Sequence, residues 1–312
     1  SPRFSPAPPG EAESREGVMI DVTTRTPMKV YDVPQSSCGP TFKLKFTWQQ
    51  REVLKEKKDG FCLQGRSGTG KTEVLCRRMV LHAAALVPEV DGQGVRLLFV
   101  APTVHLCDLA RNVFVRESGT KALGMAAFQP LHKEVLPDLE RSHTGLWGGE
   151  AEKEVGYLEF LRDYWPELET HCRLSPRLVW TKIVSVIKGS LRAVKNPKGH
   201  LERDAYVMEL GAKEDRLEEG YRENVYAAFE RYQGLLRQRK AWDRADRVMA
   251  FVQDILVRAK KQCPQSEAGP ALRRYLGSHN SLKPMERVYV DEVQDYTQAE
   301  LLLLTIAGGG DM

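Results

Sequence analysis

The stretch FCLQGRSGTGKTEVLCRRM, residues 61–79, decides how the rest of the chain is read. Gly65, Gly70, Lys71 and Thr72 fill the fixed positions of the pattern G-x-x-x-x-G-K-[ST], with Arg66, Ser67, Gly68 and Thr69 between them. Phosphate oxygens need backbone N–H groups turned inward. Glycines allow this by adopting positive φ and by leaving no side chain in the way. Lys71 would then reach the β and γ phosphates, and the Thr72 hydroxyl would ligate Mg²⁺. The apolar run at residues 60–65 reads as a buried strand. Beyond the loop, Leu75, Met79, Ala83 and Leu86 fall on one helical face that Pro88 ends. Strand, loop and helix is the order in which a helix N-terminus meets a phosphate. Without that order the stretch would be an ordinary Gly-rich turn.

The same reading extends outward. Residues 47–56, TWQQREVLKE, predict a helix opened by a T-x-x-Q capping box. Residues 95–102, VRLLFVAP, predict a second buried strand, followed by a helix over 105–116 and a third strand over 125–131. Strands alternating with helices imply a parallel sheet with right-handed crossovers. The alternation then stops. Residues 142–154 read as a joint, and from there to about residue 261 the pattern is helical. Tyr221, Val225, Phe229, Tyr232 and Leu236 form one apolar stripe, and Ala245, Val248, Val252 and Ile255 another. Residues 285–295, MERVYVDEVQD, return to strand character, and a helix with a T-x-x-E capping box at Thr297 and Glu300 follows. The fold class is α/β: a P-loop NTPase, RecA-like parallel sheet with helices on both faces, interrupted by a helical insertion.

Composition narrows the class further. The 312 residues carry a net charge of +4 from 46 basic and 42 acidic residues, so any basic surface must be local. Six scattered cysteines with no C-x-x-C pair argue against a disulfide framework or zinc site and for an intracellular setting, nuclear or cytoplasmic unresolved. The run LLLLTIA is too short to span a bilayer, so no membrane partner is expected. Residues 1–40 are Pro- and Ser-rich and read as a disordered tail. The chain opens without Met and stops soon after a helix, which reads as a fragment of a longer protein.

A second motif gives the loop a partner. In VYVDEVQD, residues 288–295, Asp291 ends an apolar run where a Mg²⁺-holding aspartate belongs, and Glu292 would polarise water as general base. A solvated strand end is the plainer alternative for an isolated Asp-Glu pair. Gln294 and Asp295 sharpen the motif, since most P-loop enzymes have no Gln-Asp there.

GRSGTGKT together with DEVQD resembles the UvrD/Rep-like group of superfamily 1 helicases. More narrowly, the chain resembles the helicase-like part of the TPR-and-ankyrin-repeat-containing proteins and their fungal relatives. That match rests on FLRDYWPEL (160–168), VWTKIVSVIKGS (179–190), YVMELG (206–211) and DEVQDYTQAEL. The resemblance implies ATP and Mg²⁺ as cofactors, catalytic roles for Lys71 and Glu292, and ATP contacts from residues 65–72 and from Gln294. It implies an adenine contact for Gln50, which is equally the third residue of a capping box. It also implies that Thr103 in APTV touches single-stranded nucleic acid, DNA ahead of RNA. Pro102 replaces the usual stacking aromatic there, and Val104 the usual polar residue. WDRADRV (242–248) resembles an Asp-bearing helical motif but also reads as a capped helix start.

Thr72 and Asp291 lie too far apart for a minimal P-loop domain, and a helical insertion explains the gap. The implied segments are 41–141 and 285–312 for the ATP-binding domain and 142–284 for the insertion. Lys188, Arg192, Lys195 and Lys198 in the insertion read as phosphate contacts or, more simply, as a solvated face. The implied activity is ATP hydrolysis coupled to movement on, or unwinding of, nucleic acid. A second RecA-like domain of the parent chain would supply transition-state arginines, so this chain alone should turn ATP over poorly. The alternative is a nucleotide-dependent switch or scaffold without helicase activity.

Overall fold

The computed structural model describes residues 18–21, 46–55, 61–66, 68–86, 97–137, 153–168, 174–210, 215–262, 264 and 285–308. It is a mixed α/β chain with small parallel sheets and many helices. Two compact units divide it, residues 1–82 and 83–312.

In the first unit, strand β1 (Val18–Asp21) pairs in parallel with β2 (Phe61–Gln64), in register from Val18 opposite Phe61 to Asp21 opposite Gln64. Composition predicts a disordered tail over residues 1–40, and β1 departs from that expectation. A four-residue strand in a Pro- and Ser-rich stretch carries too little pattern to announce itself, and the rest of residues 1–40 lies outside the described residues. Helix α1 (Trp48–Lys55) opens with the capping box read from sequence. The Thr47 amide donates to Gln50 Oε1 at 2.8 Å, and the Gln50 amide donates to Thr47 Oγ1 at 3.3 Å. Helix α2 (Lys71–Ala85) follows the Gly-rich loop. Val53 of α1 and Val74 of α2 are fully buried, with Phe46, Leu54 and Leu63 against them. Each such valine contributes about 1.5–3 kcal/mol by leaving water. The Arg78 guanidinium, also buried, donates to the Val53 carbonyl at 2.8 Å and ties α2 to α1.

The second unit is built on a three-stranded parallel sheet of order β4–β3–β7, from β3 (Leu97–Ala101), β4 (Ala126–Pro130) and β7 (Arg287–Val290). Every residue of β3 is buried, as a central strand covered on both faces requires, whereas β4 alternates buried and half-buried. Leu97 stands opposite both Ala126 and Arg287, and Ala101 opposite Pro130. The three C-terminal ends therefore gather at one edge. Helix α3 (Val104–Ser118) leaves the end of β3.

The helical stretch shares one hydrophobic core with this sheet. Leu98 and Val100 of β3 belong to the same cluster as Phe160, Trp165, Val179, Ile183, Tyr206, Tyr232 and Val252. Its main elements are α4 (Pro176–Lys182), α5 (Leu191–Lys195), α6 (Arg203–Val207), α7 (Glu219–Gln238) and α8 (Arg244–Gln262), with β5 (Lys153–Val155) and β6 (Ala241–Asp243) pairing in parallel. Residues 142–152 of the expected joint lie outside the described residues. Helix α9 (Gln298–Ala307) follows β7. Both apolar stripes read from sequence face the core, except that Tyr221, in the first turn of α7, is exposed.

Lys188 corrects the solvated-face reading. It is 1% exposed, and its ammonium meets Asp243 Oδ2 at 2.6 Å and Asp246 Oδ1 at 2.7 Å. At the start of α8 the Asp243 amide donates to Asp246 Oδ2 at 3.2 Å and the Asp246 amide donates to Asp243 Oδ1 at 3.1 Å. WDRADRV is thus a capped helix start whose cap also neutralises a buried lysine. Burial holds the Asp243 carboxyl above its usual range, and the Lys188 charge opposes that rise. Arg192 and Lys198 stay at the surface, paired with Glu209 and Glu202.

Candidate functional site

The Gly-rich loop has the backbone its sequence calls for. Gly68 and Gly70 both have φ of +76°, and a Cβ at Gly68 would meet nothing within 4 Å. A Cβ at Gly70 would come within 3.0 Å of Gln50 Nε2. Thr69 closes the turn, its amide and hydroxyl both donating to the Arg66 carbonyl at 3.3 and 2.8 Å. Lys71 opens α2 and folds back over the loop, donating to the carbonyls of Gly65 and Arg66, each at 3.2 Å. Thr72 follows in the first turn, half-buried. Ser67 lies outside the described residues.

Gln50 does two jobs at once. Its Oε1 completes the α1 capping box, and its Nε2 donates to the Thr69 carbonyl at 2.8 Å. It is buried. A side-chain amide offers two donors and one oxygen with two lone pairs. One donor and one lone pair are committed to holding α1 against the loop. The geometry is that of a brace on the Gly-rich loop, and the capping-box reading holds.

The second group of predicted residues sits at the C-terminal edge of the β4–β3–β7 sheet. In open α/β sheets this edge is where ligands bind. Asp291 extends the ladder by one step, its amide donating to the Val100 carbonyl at 2.9 Å, and it is 2% exposed. Its Oδ1 accepts from the Glu292 amide at 3.1 Å. Glu292 lies in the left-handed region, at φ 51° and ψ 47°, which is uncommon for a residue with a Cβ and turns its side chain out of the strand direction. The Gln294 amide donates to Glu292 Oε2 at 2.5 Å and fixes that carboxylate from the exposed side. Asp295 is exposed, in the short 3₁₀ turn Val293–Asp295.

Thr103, predicted to touch nucleic acid, has another use. Its backbone is extended and its Oγ1 accepts from the Leu106 amide at 3.3 Å, so it is the N-cap of α3. It stands at the same sheet edge as Asp291, just beyond the end of the neighbouring strand β3. Below it, Cys107 is buried and its thiol is pushed up to about 11 by burial, which leaves it inert as a nucleophile.

No family model matches the chain. A curated human protein, TPR and ankyrin repeat-containing protein 1, is 28% identical over 151 residues, which is 48% of this chain and 4% of that protein. The chain thus corresponds to a small part of the relative's length. In the helical stretch, three motifs behind the narrower resemblance supply core. Phe160, Tyr164, Trp165 and Leu168 are buried, as are Val179, Ile183 and Ile187, and Tyr206, Val207 and Leu210. Those motifs record packing.

Among the described residues no three of His, Cys, Asp and Glu cluster as a metal site, and no helix is long and apolar enough to cross a membrane. Two residues at the acidic edge escaped the sequence reading. Glu300 was visible only as a capping-box member, and His132 carried no motif. His132 Nε2 meets Glu300 Oε1 at 2.7 Å. The only sequence signal for His132 is its place just beyond the third apolar strand.

Proposed function

We propose that the chain is the ATP-binding portion of a UvrD-like superfamily 1 helicase or translocase. The observation that carries the reading is the loop of residues 65–72, whose left-handed glycines open directly onto a helix N-terminus led by Lys71 and Thr72. The chemistry of the donor set fits a nucleoside triphosphate. The Lys71 ammonium would suit phosphate oxygens, the Thr72 hydroxyl would suit the Mg²⁺ that accompanies them, and the Asp291 carboxylate is by its own chemistry a Mg²⁺ ligand. When bound, the metal would supply Lewis acidity toward the phosphates. Glu292, steadied by Gln294, would hold and accept the proton of an attacking water. The weak similarity to a repeat-bearing human protein supports the resemblance without extending it to an activity.

Calorimetric titration with Mg·ATP tests the reading. Binding should weaken by about 10–100-fold in Lys71→Ala, the value of a charge-assisted bond to phosphate. Equal affinity in the variant would sink it.

One observation favours a second reading, a nucleotide-dependent switch without strand tracking. The Thr103 hydroxyl is engaged in capping α3, beside Pro102 and Val104. ATP turnover measured with and without single-stranded DNA or RNA separates the two. Stimulation supports the motor, and ATP binding without stimulation supports the switch.

A further inference from the structure

The acidic loop from Asp291 to Tyr296 is held at both ends, and the second anchor joins the capping box of α9 to His132, a residue outside any motif. At its start the Asp291 amide is bonded to β3. At its end the Thr297 amide donates to Glu300 Oε2 at 2.6 Å, while Thr297 Oγ1 accepts the Glu300 amide at 3.2 Å. The other carboxylate oxygen, Oε1, accepts from His132 Nε2 at 2.7 Å. Glu300 is 6% exposed. Burial would raise its carboxyl, yet the hydrogen bond and charge of His132 and the Thr297 bonds hold it below the usual glutamate range, so it stays an acceptor.

His132 reaches this carboxylate because the backbone immediately after β4 widens into a π turn, Leu131–Val135. Two buried polar atoms beside it, His132 Nδ1 and the Tyr296 hydroxyl, have no hydrogen-bond partner among the described residues. A bond between the end of β4 and the first turn of α9 therefore sets where the acidic loop stops.

We propose that His132 is a positioning residue, acting through Glu300 to hold Asp291 and Glu292 in the geometry that serves Mg·ATP. This rests on the ATP-binding reading above. In calorimetry on the 312-residue chain, ATP affinity is compared in Mg²⁺ and in EDTA. Wild type should gain about tenfold or more from Mg²⁺. Asp291→Ala should lose that gain, and so should His132→Phe, which fills the space without a donor. Affinity in EDTA should not change for His132→Phe. His132→Gln, which can still donate, should recover most of the gain. Should His132→Phe not fold, Glu300→Gln carries the test, with a smaller loss of about threefold.

A His132→Phe chain that keeps the full Mg²⁺ gain while Asp291→Ala loses it overturns the brace and leaves the ATP reading standing. Equal weakening in Mg²⁺ and EDTA also overturns it, because that marks general destabilisation. If wild type does not bind ATP, or Asp291→Ala keeps the gain, both inferences fall together.

Discussion

A buried charge is the sharpest commitment a single residue can make, and Lys188 makes one. Its ammonium lies 5.4 Å from the Tyr232 ring centroid and bridges two aspartates, one fully buried. Desolvating such ions is expensive, and the pair survives because each partner cancels the other. Removing one side leaves the other stranded. Lys188→Ala should cost about 3–5 kcal/mol in urea unfolding, whereas Arg192→Ala, whose partner Glu209 is exposed, should stay within about 0.5 kcal/mol. Comparable losses in the two variants would contradict the burial of the pair. From sequence the two residues look alike, since both are basic and lie four positions apart in an amphipathic run. What separates them is Asp243, fifty-five positions away. No local pattern reports a partner at that range.

Elements were more legible than partners. The strand β3 was readable because five consecutive apolar residues leave no polar face, and α9 because Thr297 and Glu300 announce its first turn. The loop before α2 was readable because few uses explain that spacing of glycine, lysine and threonine. The strand β1 was hidden by its composition, and the brace from His132 by its dependence on a turn that widens after β4. Capping gives a direct test at this scale. Thr103→Ala removes the acceptor for the Leu106 amide and should lower stability by about 0.5–2 kcal/mol, while Thr103→Ser should restore most of it. If stability is unchanged in Thr103→Ala, the hydroxyl does not serve the helix, and the nucleic-acid role for Thr103 regains its footing.

At the scale of the whole molecule, the sheet of the second unit and its helical stretch share a core, so neither should loosen alone. Phe160 is fully buried, with ring neighbours Trp165, Trp180 and Tyr232 at centroid distances of 6.0, 4.9 and 5.3 Å. Phe160→Ala should cost about 3–5 kcal/mol. Hydrogen exchange should then quicken in β3 as well as in α7, and unchanged protection of residues 97–101 would show that the two parts open separately. The register of that sheet has a further consequence. Leu97 pairs with Arg287, so β3 cannot receive its second neighbour until the long intervening chain has drawn its ends together. Closing so large a loop is entropically slow unless folded helices shorten it first. The strand that leads into Asp291 therefore joins the sheet late in folding, once the helices between β4 and β7 have formed and shortened the loop that it must close.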